Sequence, residues 1–387
     1  YRLLTRRGGC VIRQEPSRLG RPWTSDGLVA LLADSLYPAL TRYRNFLRDE
    51  YLPKARTTTA VAALPDGEAC YQALIREATT LDLAPEELHK TGLQRMEKIH
   101  DEMREIAERS FSTDDVPALL ERLRTEEKYL YDSAEEILAV TDSATSRARE
   151  AAPDYFGRLP EADVVVRPFP DYQAPSAPVG RYYPPSEDGS EPGIFRINLY
   201  DPESRSRAMT EDIAFHEAIP GHHLEKALAM ERTDAHPITR FLGTAAYSEG
   251  WGLYAERLAN EMELYSSDLA RLGMLNGLAI RAARLVVDTG VHTLGWSRQQ
   301  AIDYMRQHTA AEPDHIESEV DRYIIEPAEA TAYMTGYNEI MALRDKAQDA
   351  LGEDFDLKAF HDVALADGAV TLPMLRDKVE RWIETQR

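Results

Sequence analysis

Cysteine is nearly absent from the 387-residue sequence, which contains only Cys10 and Cys70. Two thiols are too few for a disulfide framework or for a zinc site made of cysteines, so a reducing, cytoplasmic location is the default expectation. No apolar run reaches the roughly eighteen residues of a membrane-spanning helix. The sequence starts at Tyr1 rather than Met, as if upstream residues were missing, so a signal peptide cannot be judged and secretion stays open.

Positive charge is also scarce. Lysine and arginine number 45 against 66 aspartates and glutamates, which gives a formal net charge of −21. A surface of this sign repels phosphate groups, which argues against nucleic acid and anionic membranes as partners. The balance is compatible with a soluble enzyme.

The spacing of apolar residues predicts a mainly α protein with one small β-sheet. Apolar residues recur every three or four positions, as in the helix expected from Pro85 to about Ser110. Short β-branched or aromatic runs separated by Pro and Gly predict two or three strands instead. The predicted segments are an irregular stretch at 1–24, an N-terminal helical lobe at 25–155, and a catalytic lobe at 156–387 with the sheet at 162–200, metal helices at 203–263 and C-terminal helices at 267–387.

The sequence HEAIPGHH, from His216 to His223, concentrates the residues that can bind a metal, and Glu249 follows it within EGW. Catalytic zinc commonly takes two histidines and one glutamate and leaves one position for water. A nearby carboxylate can then accept the proton of that water. The residue types therefore predict a catalytic Zn²⁺ site.

The spacing leaves the second histidine ligand open between His222 and His223. In an unbroken helix His222 would point about 240° away from His216, whereas His223 would face the same way but lie about 10 Å further along the axis. Pro220 and Gly221 can distort the helix and absorb two residues, which would bring His222 into the i+4 place. We therefore favour His222 over His223.

Four segments resemble the bacterial domain-of-unknown-function 885 family: HEAIPGHH, EGWGLYAE, RLVVDTGVHTLGW and RYIIEPAEATAYMTGY. The resemblance extends from about residue 30 to the end. That family is similar to the helical gluzincin zinc peptidases of the angiotensin-converting-enzyme and oligopeptidase type. The resemblance implies a zincin-like helical fold, with His216, His222 and Glu249 as ligands and Glu217 as base. The sequence departs from H-E-x-x-H by two extra residues.

Further polar residues are candidates for the same site. Glu256 is expected on the side of its helix that carries Glu249, where it could hold a ligand histidine. Asp288 and His292 are spaced i, i+4 in an apolar helix, either as a buried structural pair or as a donor to the oxyanion. The other histidines lack ligand spacing and are expected at the surface: His89, His100, His236, His308, His315 and His361.

A tyrosine can stabilise an oxyanion by donating a hydrogen bond without carrying charge. Similar peptidases place tyrosines in the region of Tyr333, which is the preferred candidate before Tyr323. Packing is the competing interpretation for each of them. Arg281 and Arg284 are either carboxylate clamps or arginines whose stems cover apolar surface.

The sequence thus predicts a zinc metallopeptidase that cleaves short peptides, with Tyr333 or His292 supporting Glu217. Two alternatives remain open at this stage. The protein could be a catalytically silent metal- or peptide-binding protein on the same scaffold, or a zinc amidohydrolase that acts on non-peptide amides.

Overall fold

The computed structural model describes residues 3–6, 9–12, 24–187, 189–232, 236, 240 and 243–387. The chain forms two compact units, Tyr1–Thr58 and Thr59–Arg387. The predicted boundary near residue 155 falls inside the second unit, and the division of that unit into two lobes stays a prediction. Within the described residues, no helix is both long and apolar enough to cross a membrane.

The first unit contains a hairpin and a helical stretch. Strands β1 (Leu3–Arg6) and β2 (Gly9–Ile12) pair antiparallel, which corrects the expectation that this stretch is irregular throughout. The rest of 1–23 lies outside the described residues. Helices α1 (Ser25–Leu31) and α2 (Tyr37–Phe46) are joined by the π-helical segment Leu32–Leu36, and a second one, Leu47–Tyr51, follows.

The second unit is mainly helical, as predicted. Its helices are α3 (Gly67–Thr79), α4 (Pro85–Phe111), α5 (Val116–Thr125), α6 (Ala134–Ala151), α7 (Thr210–Glu217), α8 (His222–Met230), α9 (Ala245–Glu261), α10 (Asp268–Thr293), α11 (Arg298–His308), α12 (Pro313–Ile325), α13 (Ala332–Leu351), α14 (Leu357–Leu365) and α15 (Leu372–Gln386). The predicted C-terminal helices correspond to α10–α15. Part of the segment 203–263, predicted to form the metal helices, lies outside the described residues.

The small sheet predicted before the metal-binding segment is confirmed. It consists of β3 (Val164–Pro168), β4 (Gly180–Tyr183) and β5 (Gly193–Ile197) in the order β3-β5-β4. The central strand β5 pairs parallel with β3 and antiparallel with β4. Its residues alternate between buried and half-buried, as expected for a strand with one face on the core. Because β5 lies between β3 and β4, strand β4 is at an edge of the sheet.

Two pairs of packed helices form the centre of the second unit. Helix α10 is buried on most of its circumference and packs along α4, while α9 packs along α13. Gly250 of α9 meets Gly336 of α13, where an added Cβ on Gly250 would lie 2.6 Å from the Gly336 Cα. A side chain at either glycine would push the two helices apart, so this close approach fixes the position of Glu249 beside it.

Candidate metal centre

The predicted metal helix is interrupted rather than bulged, because α7 ends at Glu217 and α8 begins at His222. Pro220 has no N–H for a helical hydrogen bond, and Ala218 and Gly221 have ψ angles of −108° and −129°. A Cβ on Gly221 would lie 1.9 Å from the carbonyl oxygen of His216. Only glycine fits there, so the chain can turn tightly against the end of α7.

This break brings the His222 ring beside the His216 ring, with the ring centroids 4.7 Å apart in a T-shaped arrangement. Glu249 reaches the same point from α9. Its Oε2 atom lies 3.4 Å from Nε2 of His216 and 3.6 Å from Nε2 of His222. One donor atom from each residue lies within 4.8 Å of the other two. The structure thus brings together the three residues predicted as ligands.

Two of the three separations in the donor set suit zinc. Ligands about 2.0–2.2 Å from a tetrahedral zinc lie about 3.4 Å from each other, close to the distances from Oε2 of Glu249 to Nε2 of His216 and of His222. Both histidines are buried, whereas the Glu249 side chain retains 26% exposure. The charge is complementary as well, because the His222 and His216 rings outweigh the effect of burial and hold the pKa of Glu249 well below its usual range. The geometry and chemistry of these groups fit a divalent cation.

Each ligand histidine has a carboxylate behind it. Nδ1–H of His216 donates to Oε1 of the fully buried Glu256 at 2.7 Å, which fixes the ring so that Nε2 is directed toward Glu249. Burial lowers the pKa of His216, but Glu249 and Glu256 outweigh it and raise that pKa to about 10. Glu256 thus lies where its helical position predicted.

Glu225 is the corresponding carboxylate for His222 and was missed by sequence reasoning. Its Oε2 lies 3.5 Å from Nδ1 of His222 and accepts a hydrogen bond from the Ser248 hydroxyl at 2.8 Å. Glu225 is 2% exposed, which is rare for a glutamate without a partner. The i, i+3 spacing to His222 was the available signal.

Asp212 forms a further layer behind Glu256. It accepts a hydrogen bond from the Tyr265 hydroxyl at 3.0 Å, and its other oxygen and Oε2 of Glu256 both face Gly277. Burial and then the Glu256 charge raise the pKa of Asp212 well above its ordinary value. Asp212 and Glu256 thus form a pair of buried carboxyl groups behind His216.

His223 is directed away from this centre. Its Nδ1 atom and the Tyr182 hydroxyl form a hydrogen bond of 2.9 Å, and burial lowers the pKa of His223 to about 4. A neutral ring held by a β4 tyrosine faces the sheet. The structure therefore distinguishes between the two candidate histidines by geometry and places His222 at the centre.

Glu217, the predicted base, ends α7 next to His216. Its side chain is half-buried and lies against β4, because a Cβ on Gly180 would be 3.4 Å from the Glu217 Cγ. The negative charge of Glu217 contributes to the raised pKa of His216. The Glu217 side chain is thus near both His216 and the edge strand.

Tyr333, the predicted oxyanion donor, lies close enough to Glu249 for the two side chains to interact electrostatically. Burial and then the Glu249 carboxylate raise the pKa of Tyr333 to about 12. The guanidinium carbon of Arg284 lies 4.5 Å from the Tyr333 ring centroid, in the range of a cation–π contact. The phenol is therefore protonated at neutral pH and able to donate a hydrogen bond.

His292 has a structural role, which corrects its prediction as an oxyanion donor. Its Nδ1 accepts a hydrogen bond from the Val61 N–H at 3.1 Å, and its Nε2–H donates to the Tyr323 carbonyl at 2.9 Å. Asp288 likewise accepts hydrogen bonds from the Tyr71 hydroxyl and the Ala328 N–H. Both ring nitrogens of His292 are occupied, so the ring cannot serve a substrate without breaking the core.

Two more predictions change once the packing is known. Tyr323 is buried and donates its hydroxyl to Glu319 at 2.8 Å, which leaves Tyr333 as the tyrosine at the centre. His361, expected at the surface, is fully buried and is bound by Tyr254 and by the Tyr155 carbonyl. Spacing along the chain did not reveal these partners, because they are distant in sequence.

Comparison with known proteins places the chain in a family. Residues 21–379 match the model described as "Bacterial protein of unknown function (DUF885)". The chain belongs to this family. Comparison with curated proteins gives no match.

Two solved structures resemble the chain, and each is described as a "putative lipoprotein". The one from Colwellia psychrerythraea is 32% identical, with a TM-score of 0.89, and the match covers 94% of this chain and 64% of that one. The one from Shewanella oneidensis, of unknown function, is 18% identical, with a TM-score of 0.69 and coverage of 91% and 65%. The second likeness shows the fold alone. The chain thus spans just under two thirds of each of these longer proteins.

Proposed function

We propose that this DUF885 protein is a zinc-dependent hydrolase, and specifically a metallopeptidase that cleaves short peptides with water. The observation that supports this most is the convergence of Nε2 of His216, Nε2 of His222 and Oε2 of Glu249 within 4.8 Å, with Glu217 adjacent. Zinc held by these groups would lower the pKa of a water molecule and polarise the substrate carbonyl. In this proposal, side chains of the protein carry out the proton transfers and stabilise the negative charge that develops on the substrate.

Glu217 is the proton carrier in this proposal. Its carboxylate accepts a proton from the attacking water, whose oxygen forms a bond to the carbonyl carbon of the scissile peptide. When the C–N bond breaks, Glu217 returns that proton to the leaving amine. Tyr333 donates a hydrogen bond to the oxygen that carries negative charge between these two events. Water is consumed, and one carboxylic acid and one amine are produced.

The edge of β4 provides a place for the substrate backbone. The N–H of Phe169 donates to the Ile197 carbonyl on the β3 side of β5, and Gly180 is the partner of Ile197 in β4. Because non-hydrogen-bonded pairs direct their backbone groups outward, Gly180 presents its N–H and C=O at the free edge. An extended peptide can add there as a further strand, beside Glu217.

The relationship to gluzincin peptidases is part of the proposal. The order of a His-Glu pair, a second histidine on the same helical segment and a glutamate on a following helix is similar to that of the helical zinc peptidases. The break at Ile219–Gly221 gives the longer HEAIPGHH motif the geometry of the shorter one, because His222 meets His216 despite two additional residues. A zincin-like fold accounts for this arrangement.

A glutamine at position 217 tests the proposal. We expect Glu217→Gln to lower kcat on a short-peptide library by about 10²- to 10⁴-fold while zinc content is unchanged. Glu353→Gln, at an exposed turn, is the matched control and should keep full activity. Absence of peptide cleavage by both wild-type and variant protein, with zinc retained, would favour a silent binding protein or a hydrolase of non-peptide amides. Full activity after chelation would remove zinc from the mechanism.

The location of the protein is also a matter of proposal. The descriptions of the two structural neighbours as lipoproteins favour export over the cytoplasmic location expected from the two cysteines. We propose that the site acts on peptides outside the cytoplasm. Fractionation of bacteria that express the full-length gene checks this, and recovery only in the cytosol would contradict it.

A further inference from the structure

Arg284 carries a positive charge into the interior of the second unit. It lies on α10 and is only 8% exposed, which is rare for an arginine unless it is paired. Its Nε–H donates to the Tyr323 hydroxyl at 2.9 Å, and an Nη2–H donates to Oε2 of Glu319 at 2.8 Å. The guanidinium carbon lies 4.5 Å from the centroid of the Tyr333 ring. Two residues of α12 therefore fix the guanidinium where it contacts that ring.

Glu319 is the anchor of these contacts. Besides Arg284, its carboxylate accepts hydrogen bonds from the Tyr323 hydroxyl at 2.8 Å and from Nε and Nη2 of Arg322 at 3.1 and 3.0 Å. Burial raises the pKa of Glu319, but Arg322 and Arg284 outweigh it and hold that pKa well below its usual range. An ionised acceptor strengthens each of these hydrogen bonds. The guanidinium of Arg284 is thus held rigidly.

A second connection reaches Tyr333 through the backbone. Nη1 of Arg322 donates to the Glu329 carboxylate. Glu329 begins the short 3₁₀ helix Glu329–Thr331, which continues directly into α13 at Ala332. Tyr333 is the second residue of α13. The same network therefore restrains both the ring of Tyr333 and the start of its helix.

The packing of α13 on α9 brings Tyr333 toward the candidate metal centre. Gly336 of α13 meets Gly250 of α9. Tyr333 precedes Gly336 by three residues, on the same side of the helix, and Glu249 directly precedes Gly250. Burial and then the Glu249 charge raise the pKa of Tyr333, whereas the Arg284 charge lowers it. The guanidinium therefore makes the phenol a stronger hydrogen-bond donor than burial and Glu249 alone would leave it.

We propose that Arg284 is the positioning residue of Tyr333, which holds the phenol ring in place and strengthens its hydroxyl as a donor to the oxyanion. The inference rests on the proposed function and adds Arg284, with Glu319 behind it, to the residues that support the reaction. Arginine suits this role because its planar, permanently charged guanidinium can stack on an aromatic ring while its N–H groups bind other partners. Arg284 acts through Tyr333 and not on the substrate.

A double-mutant cycle tests whether Arg284 acts through the Tyr333 hydroxyl. In the wild-type background, Arg284→Met should lower kcat by about 3- to 30-fold, the range for loss of a cation–π contact, with little change in KM. In the Tyr333→Phe background it should lower kcat by less than about twofold, because the hydroxyl that it supports is already absent. Equal losses in the two backgrounds would show a purely structural contribution and would overturn the proposal.

Arg344→Met is the matched control for Arg284→Met. Arg344 is 9% exposed, pairs with Glu261 at 2.6 Å and lies 5.8 Å from the centroid of the Tyr254 ring. It belongs to α13 but lies three helical turns after Tyr333. Its loss should lower the stability of the protein and leave kcat near the wild-type value. A loss of kcat in Arg344→Met equal to that in Arg284→Met would contradict the proposal.

Arg284→Lys is the conservative variant. It keeps a positive charge next to Glu319 and removes the planar guanidinium. It should recover part of the kcat lost in Arg284→Met, and the remaining loss should again vanish in the Tyr333→Phe background. This variant also gives the answer if Arg284→Met does not fold, since a loss of equal size in both backgrounds would then overturn the proposal.

A spectroscopic measurement distinguishes this inference from the proposed function because it needs no turnover. In protein labelled with fluorotyrosine, the fluorine NMR signal of Tyr333 is the one that is missing from Tyr333→Phe. Arg284→Met should move this signal, and Arg344→Met should leave it in place. An unmoved signal in Arg284→Met would overturn the proposal even if peptides are cleaved. A moved signal in a protein that cleaves no peptide would support Arg284 as the positioning residue of Tyr333 and overturn the peptidase.

Discussion

Among the described residues, two groups of buried histidines differ in what their ring nitrogens bind. At His216 and His222 a carboxylate lies behind each ring, and both Nε2 atoms face Glu249. At His292 both nitrogens are hydrogen-bonded to backbone groups, and at His361 both are used by tyrosine residues. All four rings are buried. A buried histidine is therefore a candidate ligand only when one nitrogen remains available toward other donors.

The pKa values of these two groups of histidines differ in the same way. Carboxylates outweigh burial at His216 and raise its pKa to about 10, whereas burial dominates at His361 and lowers its pKa to about 4. The first environment stabilises positive charge, as a metal site must. The second stabilises a neutral ring that holds the fold together. Substitutions in each region should therefore have different consequences.

The largest effect is expected at a proposed ligand. His222→Ala should abolish peptide cleavage and weaken zinc binding by more than the about 10- to 100-fold typical of changes to groups behind a ligand. Zinc stoichiometry by elemental analysis and the shift of the melting temperature with added zinc measure this. His223→Gln, directed toward Tyr182, is the control and should bind zinc normally. Zinc retained by His222→Ala would refute the ligand assignment.

The next effect concerns Tyr333. Tyr333→Phe should lower kcat by about 10²- to 10³-fold with little change in KM, because the lost hydrogen bond acts mainly in the transition state. Steady-state kinetics on one cleaved peptide measure both constants. Tyr323→Phe, at a tyrosine bound to Glu319, is the comparison and should affect stability more than turnover. A larger loss of turnover in Tyr323→Phe than in Tyr333→Phe would show that Tyr333 is not the oxyanion donor.

A smaller effect is expected from the carboxylates behind the ligands. Glu256→Gln should lower zinc affinity by about 10- to 100-fold, and Glu225→Gln should lower it less, because its distance to His222 is 3.5 Å rather than 2.7 Å. Competition with a chelator of known affinity ranks the two variants. A larger loss in Glu225→Gln would show that its hydrogen bond tightens when metal is present.

The smallest effect on the site is expected from the structural histidine. His292→Phe should keep zinc content and kcat while the free energy of unfolding falls by about 1–3 kcal/mol for each buried group left unpaired. Denaturant unfolding and kinetics on the same preparation separate the two properties. Loss of turnover in a protein that remains folded and zinc-loaded would return His292 to the catalytic machinery.

Much of this contrast could be predicted from the sequence, and the remainder depends on packing. The HEAIPGHH and EGW motifs predicted three residues that the structure brings together, and β-branched runs predicted the sheet, since both signals are local. The role of His292 depends on Val61, 231 residues away, and that of Glu225 depends on how α8 meets Ser248.

Anomalous scattering at the zinc edge, from crystals grown with zinc, tests the central claim most directly. The account predicts one strong peak per chain, about 2.0–2.2 Å from Nε2 of His216, Nε2 of His222 and a carboxylate oxygen of Glu249. A peak bonded to His223, or no peak among these three residues at saturating zinc, would contradict it.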